Sequence, residues 1–208
     1  LEWTGLERKK AIWYGGMSWF IYLNSVEIFD GFSEDWGFSL GDLGANALGT
    51  SLLIGQQLLW DEQRILTKWS YSPSRYAKYR PELLGANPAE HWLKDYNGQI
   101  YWLSLNMKSL FFPDAERLPK WLNIAVGYSI EGYTGANRNP IANAMGRQIP
   151  FTQRYSQVFL SADIDLSRIK TNSKFANTIL EVLNFVKVPL PGIEYNPING
   201  WQYHWIIF

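Results

Sequence analysis

The chain has 208 residues, 19 Lys plus Arg against 19 Asp plus Glu, a formal net charge of zero, two histidines and no cysteine. That balance disfavours a nucleic-acid reader working through a basic footprint, and the lack of cysteine removes disulfide, thiolate, zinc-knuckle and iron–sulfur chemistry. Aromatic residues reach 16% (11 Trp, 12 Tyr, 11 Phe) while charged residues are only 18%, against roughly 25% in ordinary soluble domains, so aromatic surface is offered to a core, a partner or a lipid interface.

Leu1 to Lys10 has neither the apolar stretch nor the small-residue cleavage site of a signal peptide, and no initiator Met. The start therefore reads as that of a mature chain or a fragment. After Arg8-Lys9-Lys10, Ala11 to Val26 carry no charge, which predicts a helix over Leu6 to Asp30 with Gly31 as its stop. Gly31 to Phe38 reads as a turn. Ser39-Leu40-Gly41-Asp42 has capping-box spacing and opens a second helix from Leu40 to about Leu66, uncharged from Leu43 to Trp60.

Both uncharged runs fall short of the ~20 residues of a spanning helix. The second also contains Asn46, Thr50, Gln56 and Gln57, which favours a buried helical hairpin within residues 1–70. Small residues at Gly41, Ala45 and Gly49, and at Ala47, Ser51 and Gly55, allow close backbone approach in a core or a membrane. Asp61 to Lys68 restores charge and reads as the solvated end of this helix.

Asn87-Pro88-Ala89-Glu90 signals a short helix to about Asp95, and Asn97-Gly98 a turn into a strand at Gln99 to Asn106. Trp121 to Glu131 then alternates completely: Leu122, Ile124, Val126, Tyr128 and Ile130 oppose Asn123, Ala125, Gly127, Ser129 and Glu131. Gln157 to Leu166 repeats the pattern, with Asp163 and Asp165 on the polar face, where Arg154, Arg168 or Lys170 would pair with them on a wetted surface. The Gly135 to Pro150 stretch between them is a long loop. Asn172 to Lys187 returns to helical period with Phe175, Ile179, Val182, Leu183 and Val186 on one stripe, and Leu190 to Tyr195 and Trp201 to Phe208 read as closing strands.

The predicted fold is α+β: an N-terminal helical hairpin packed with a small antiparallel sheet over residues 96–208 and a C-terminal amphipathic helix near 172–187, forming one domain. An apolar strand face opposite a small and polar one is the pattern of outer-membrane barrels. Only about five strands can be counted, however, and Gln202 and His204 share parity with Ile206 and Phe208, so a self-contained barrel is not expected.

Glu27-Ile28-Phe29-Asp30-Gly31-Phe32-Ser33, Trp36-Gly37-Phe38-Ser39-Leu40-Gly41-Asp42, Ala45-Asn46 and Gly49, followed by Lys94-Asp95-Tyr96-Asn97-Gly98-Gln99, Tyr101-Trp102-Leu103-Ser104, the Trp121 to Tyr128 stretch and Arg154 to Asp165, resemble the YfiM-like predicted lipoproteins of Bacteroidota. The first block is more distantly similar to VanZ-like helical membrane proteins. The resemblance spans almost the whole chain and implies helices and a few strands at the outer membrane or its periplasmic side, with no established activity. It places an Asp-Lys and Gly-His motif and a lipoprotein cysteine upstream of Leu1.

The first candidate site is a polar cluster of Glu27, Asp30, Asp42 and Asn46, which a hairpin would gather at one end. It reads as a structural cluster, a hard-cation site or an acid/base pair. His91 could join Ser104 and a carboxylate, but no Gly-x-Ser-x-Gly elbow supports a hydrolase. The second candidate is a contact surface of Trp13, Trp19, Trp60, Lys94, Asp95, Asn97, Trp201, Tyr203 and Trp205. No catalytic residue, metal site or cofactor is assigned, and no nucleic-acid partner. The expected function is that of a non-enzymatic, outer-membrane-associated envelope protein, an accessory or scaffold subunit of an outer-membrane complex. The alternative is a lipid- or cell-wall-directed enzyme or a metal-binding protein using the acidic cluster.

Overall fold

A computed structural model describes residues 5–30, 32, 39–135 and 138–208, with Asp30 described in its backbone only. The turn expected at Gly31 to Phe38 lies almost wholly outside the described residues. Contacts divide the chain into two compact units, Leu1–Arg64 and Ile65–Phe208.

The first unit is a helical hairpin of α1 (Arg8–Asp30) and α2 (Leu40–Trp60). Its two ends are clamped. At one, Arg8 donates to Gln57 O and pairs with Asp61, whose left-handed backbone (φ 59°) stops α2. At the other, Ser39 Oγ accepts the Asp42 N–H at 3.2 Å, while the Ser39 N–H goes to the Glu27 carboxylate. The capping box is thus completed by the opposite helix, which ties α1 to the start of α2. Close approach is carried by α1: a Cβ at Gly16 would lie 2.5 Å from Ile54, whereas one at Gly49 or Gly55 would meet nothing within 4 Å. No helix among the described residues is long and apolar enough to cross a membrane.

The second unit holds six strands: β1 (Ile65–Tyr71), β2 (Gln99–Asn106), β3 (Leu122–Glu131), β4 (Tyr155–Ile164), β5 (Leu190–Asn196) and β6 (Gly200–Ile207). They form one sheet in chain order, each antiparallel to the next, so the α+β class holds. Short helices α3 (Pro81–Leu84), α4 (Pro88–Lys94) and α5 (Met107–Leu110) sit in the connections, and α6 (Lys174–Leu183) lies between β4 and β5. Strand β1 corrects the expectation that α2 runs on to Leu66. Asp61 ends the helix, and Lys68, expected in solvent, is 3% exposed.

The sheet curls strongly. Lys68 Nζ on β1 lies 2.8 Å from Asp163 Oδ2 on β4 and donates to Ile164 O at 2.7 Å. Three strand spacings in a flat sheet would separate β1 from β4 by roughly 14 Å, beyond the joint reach of these side chains. The outer edge of β1 is met by the segment leading into β5: Trp69 N–H donates to Phe185 O at 2.8 Å, and Lys187 N–H to Trp69 O at 2.9 Å.

Candidate functional site

The faces of the curled sheet are reversed relative to a sheet covering an oily core. Asn123, Ala125, Gly127 and Ser129 of β3 point inward and are buried, as are Gln157, Phe159, Ser161 and Asp163 of β4. Val126, Tyr128, Val158, Leu160 and Ala162 point outward and are exposed. The complete alternation predicted strands correctly, but Asp163 and Asp165 are not on a wetted face: they are at most 1% exposed.

The interior combines a small apolar cluster, Ile100, Trp102, Ala125, Phe159 and Ile207, with a hydrogen-bonded polar network. Asp163 takes the Lys68 ammonium, the Ser104 hydroxyl at 2.6 Å and the Val188 N–H at 3.3 Å. Ser104 accepts from Asn123 Nδ2, and Asn106 Nδ2 donates to Asn123 Oδ1, so Ser104 is engaged here and makes no triad with His91. Lys187 stands over the Trp102 ring at 4.7 Å and donates to Val188 O at 3.0 Å. Burial lowers its pKa to about 8, with Asp163 opposing the shift and Lys68 adding to it. Trp102 fits because its neighbour across the ladder is Gly127, where a Cβ would come within 2.7 Å of the ring. Asp165 takes Arg168, Ser167 and Asn184, and Glu194 takes His204 at 2.7 Å and Asn196 at 2.6 Å. Such groups are stable inside only when mutually satisfied.

The outer face is organised in rows across the strands. One row, read through the register, is Trp69, Tyr101, Tyr128, Val158, Tyr195 and Trp201: five aromatic rings among six positions. Two residues further along lies Thr67, Leu103, Val126, Leu160, Ile193 and Tyr203, and beyond it Ile65, Leu105, Ile124 and Ala162. No charged side chain interrupts these rows. At the far end Phe111, Phe112 and Trp121 are exposed, and α6 turns Phe175, Ile179, Val182 and Leu183 outward. From Tyr128 back to Trp121 the chain advances about 24 Å at ~3.4 Å per residue, close to the ~25 Å apolar band of outer-membrane sheets before strand tilt is considered.

A β-bulge removes the parity objection at β6. Gly192 pairs with His204 and Leu190 with Ile207, so three residues of β6 advance against two of β5. Gln202 and His204 face the interior side, Trp201, Tyr203, Trp205 and Ile206 face out, and Ile207 turns in at 5% exposure.

The candidate contact residues separate. Trp13, Trp19, Lys94, Trp201 (73% exposed), Tyr203 and Trp205 (78%) are at the surface, and Trp60 is half-buried, its ring beneath the Arg64 guanidinium. Asp95 and Asn97 are corrections. Both are buried and engaged in loop anchoring, Asp95 by the N–H and hydroxyl of Ser74 and Asn97 by the backbone of Tyr133.

In the polar cluster, Glu27 holds the Ser39 N–H, Asp42 lies in the first turn of α2, and Asn46 Nδ2 reaches Asn24 Oδ1 at 3.5 Å. The side chain of Asp30 is outside the described residues. Among those residues no group of three His, Asp or Glu is placed to hold a metal ion. Between the helices, Trp13, Met17, Phe20, Thr50, Ile54 and Leu58 line an apolar groove of about 340 Å³.

Sequence reasoning missed the interior, because Lys68 and Asp163 read as solvent-facing, while Ser104 drew notice only beside His91 and Asn106 only as the end of a strand. The available signal was the abundance of small and amide side chains, such as Ser104, Asn106, Asn123, Ala125, Ser129 and Ser161, on the polar faces of successive strands. No protein-family model, curated protein or solved structure matches this chain.

Proposed function

We propose that the protein is an outer-membrane-associated envelope protein whose curled sheet turns its apolar face to lipid and which serves as an accessory or scaffold subunit of a membrane complex. The observation that carries this reading is the reversed sheet. A satisfied polar interior under uncharged rows of aliphatic side chains, with aromatic rings at both ends, is the arrangement a bilayer favours and water penalises by about 25 cal/mol per Å² of apolar surface. The outward stripe of α6 suits a helix lying in the interface plane.

The subunit part rests on β6. Among the described residues it pairs with β5 alone, and an unpaired strand edge is not tolerated in hydrocarbon. A neighbouring strand meets that demand through backbone hydrogen bonds.

The test is flotation of the purified chain with preformed vesicles, followed by high-salt and carbonate washes. Apolar insertion survives both, because salt screens only the electrostatic contribution. Release by salt, or failure to float, would contradict the reading.

A further inference from the structure

The loops beyond the Trp69–Trp201 row are rich in cations, with Glu82 on Arg80, Glu131 near Arg75 and the buried Asp95 on Ser74 as the acids beside them. Residues 72–80 contain Arg75, Lys78 and Arg80 and no acid, and residues 132–154 contain Arg138, Arg147 and Arg154 and no acid. Some of these cations hold the loops together: Arg80 donates to Thr134 O, and Arg154 stacks on Tyr133 and donates to Asn139. Others face outward. Arg75 has a side chain 72% exposed, with Glu131 at 3.4 Å, and Lys78, Arg138 and Arg147 are exposed. The loop carrying Arg147 is brought to this end by Asn143, which donates to Tyr79 O at 3.3 Å.

Between these loops and the β5–β6 turn is a cavity of about 400 Å³ whose walls include Arg75, Tyr76, Tyr79, Phe151, Tyr155 and Ile198. No carboxylate lines it. Glu131, nearby, is turned to the hydroxyls of Tyr76 and Tyr155 and to Gln157. Phe151, in the cavity wall, is 94% exposed, and on the same connection between β3 and β4 Ile141 is 83% and Met145 75% exposed. Tyr155, paired with Glu131 at the end of β3 and β4, lies three residues along β4 from Val158 of the aromatic row, a rise of roughly 10 Å. On the lipid-facing reading, that is the level of the headgroups.

We propose that this cavity seats the phosphate-bearing headgroup of an anionic lipid. Arg75, which lines the cavity, meets the phosphate, Lys78 and Arg147 on the surrounding loops add positive charge, and the exposed Phe151 of the cavity wall enters the adjoining apolar layer. The assignment rests on the lipid-facing reading above and adds the lipid class and the end of the sheet that recognises it. Basic residues close to an anionic leaflet contribute about 1 kcal/mol each, so the three outward cations together should set a preference of roughly a hundredfold.

The experiment compares flotation on vesicles of phosphatidylcholine alone and of phosphatidylcholine mixed with phosphatidylglycerol. It uses the wild-type chain and a variant carrying Arg75→Gln, Lys78→Gln and Arg147→Gln, all at exposed positions. The expected result is tighter wild-type binding to the mixed vesicles, lost in the variant, with equal binding of both chains to the neutral vesicles. A wild type without preference, or a variant that keeps it, overturns the proposal. Loss of binding to both vesicle types by both chains overturns the lipid-facing reading and the headgroup assignment with it. Inorganic phosphate at matched ionic strength should leave the preference in place; if it abolishes the preference, the cavity holds a free anion and the lipid assignment fails.

Discussion

On β4 burial alternates strictly: Gln157, Phe159, Ser161 and Asp163 lie inside, Val158, Leu160 and Ala162 outside. Helix α1 shows no such division. Trp13, Tyr14, Met17, Trp19, Ile21 and Tyr22 are all exposed and span most of the helix circumference, while among its described residues only Ala11, Ile12, Gly16 and Glu27 are buried. A sheet can sort by alternation because its period is two, and it can close a polar network on one side only by curling. A two-helix hairpin has no interior large enough to do this. The apolar exterior therefore has different standing in the two units: in the sheet it is the counterpart of a built polar core, in the hairpin it is what two helices cannot cover.

The strongest way to break this contrast is to attack the interior. Asp163→Ala leaves the Lys68 ammonium buried without its paired carboxylate and removes the negative charge that offsets the burial of Lys187, and should cost about 3–5 kcal/mol, read from urea unfolding in detergent or lipid. Lys187→Met, which removes a cation and keeps the volume, should be near neutral at pH 7. Equal damage from the two substitutions would show that charge balance does not organise the interior.

The next effect addresses the exterior. Leu160→Arg, in the middle aliphatic row, should destabilise the lipid-folded protein by about 2–4 kcal/mol, whereas Tyr128→Arg, in the aromatic row, should cost only about 0–1 kcal/mol. Folding free energies in bilayers give the comparison directly, and equal costs at the two depths would remove the argument from rows. Gly127→Ala presses a methyl group on the Trp102 ring and should cost about 1–3 kcal/mol, against little change for Gly49→Ala, whose Cβ meets nothing within 4 Å.

A further effect is in pH. The Lys187 pKa is lowered in the folded chain, to about 8 from its ordinary 10.5. Between those values the unfolded chain binds more protons than the folded one, so this group's contribution to stability increases with rising pH and is absent below about pH 8. Unfolding midpoints measured across that window should rise more in wild type than in Lys187→Met; tyrosine titration is common to both chains and cancels in the difference.

Much of the fold is legible in the residues. Gln99–Asn106, Pro88–Lys94 and the alternating pair β3 and β4 follow from turn chemistry, capping and period. Strand β1 was hidden because Lys68 carries a full charge, and in isolation a charged residue reads as solvent-facing; only the distant Asp163 makes its burial possible. Helix α6 ends at Leu183, short of the predicted Lys187, because Phe185 to Lys187 is drawn to the edge of β1. The alternation on β3 and β4 identified the two faces but could not say which one is inside. Period two is unchanged when a sheet is turned over, and the choice depends on curvature and on whether water or lipid lies outside. For the same reason the exposed aromatic residues of β6 could be anticipated, while the burial of Asp95 and Asn97 could not, since both belong to a turn that looks solvent-facing until Ser74 and Tyr133 are brought to it.

The central claim is that the outer face of the sheet meets hydrocarbon, and the cysteine-free chain allows a direct measurement. Single nitroxide labels are placed on Val158→Cys, Leu160→Cys and Ala162→Cys, with Ser161→Cys as the inward control, in vesicle-reconstituted protein. Collision rates with oxygen, which partitions into lipid, and with a water-soluble nickel chelate are then compared. The account predicts high oxygen and low nickel accessibility at 158, 160 and 162, deepest at 160, and low accessibility to both reagents at 161. High nickel accessibility at 160, or the opposite alternation, would contradict it.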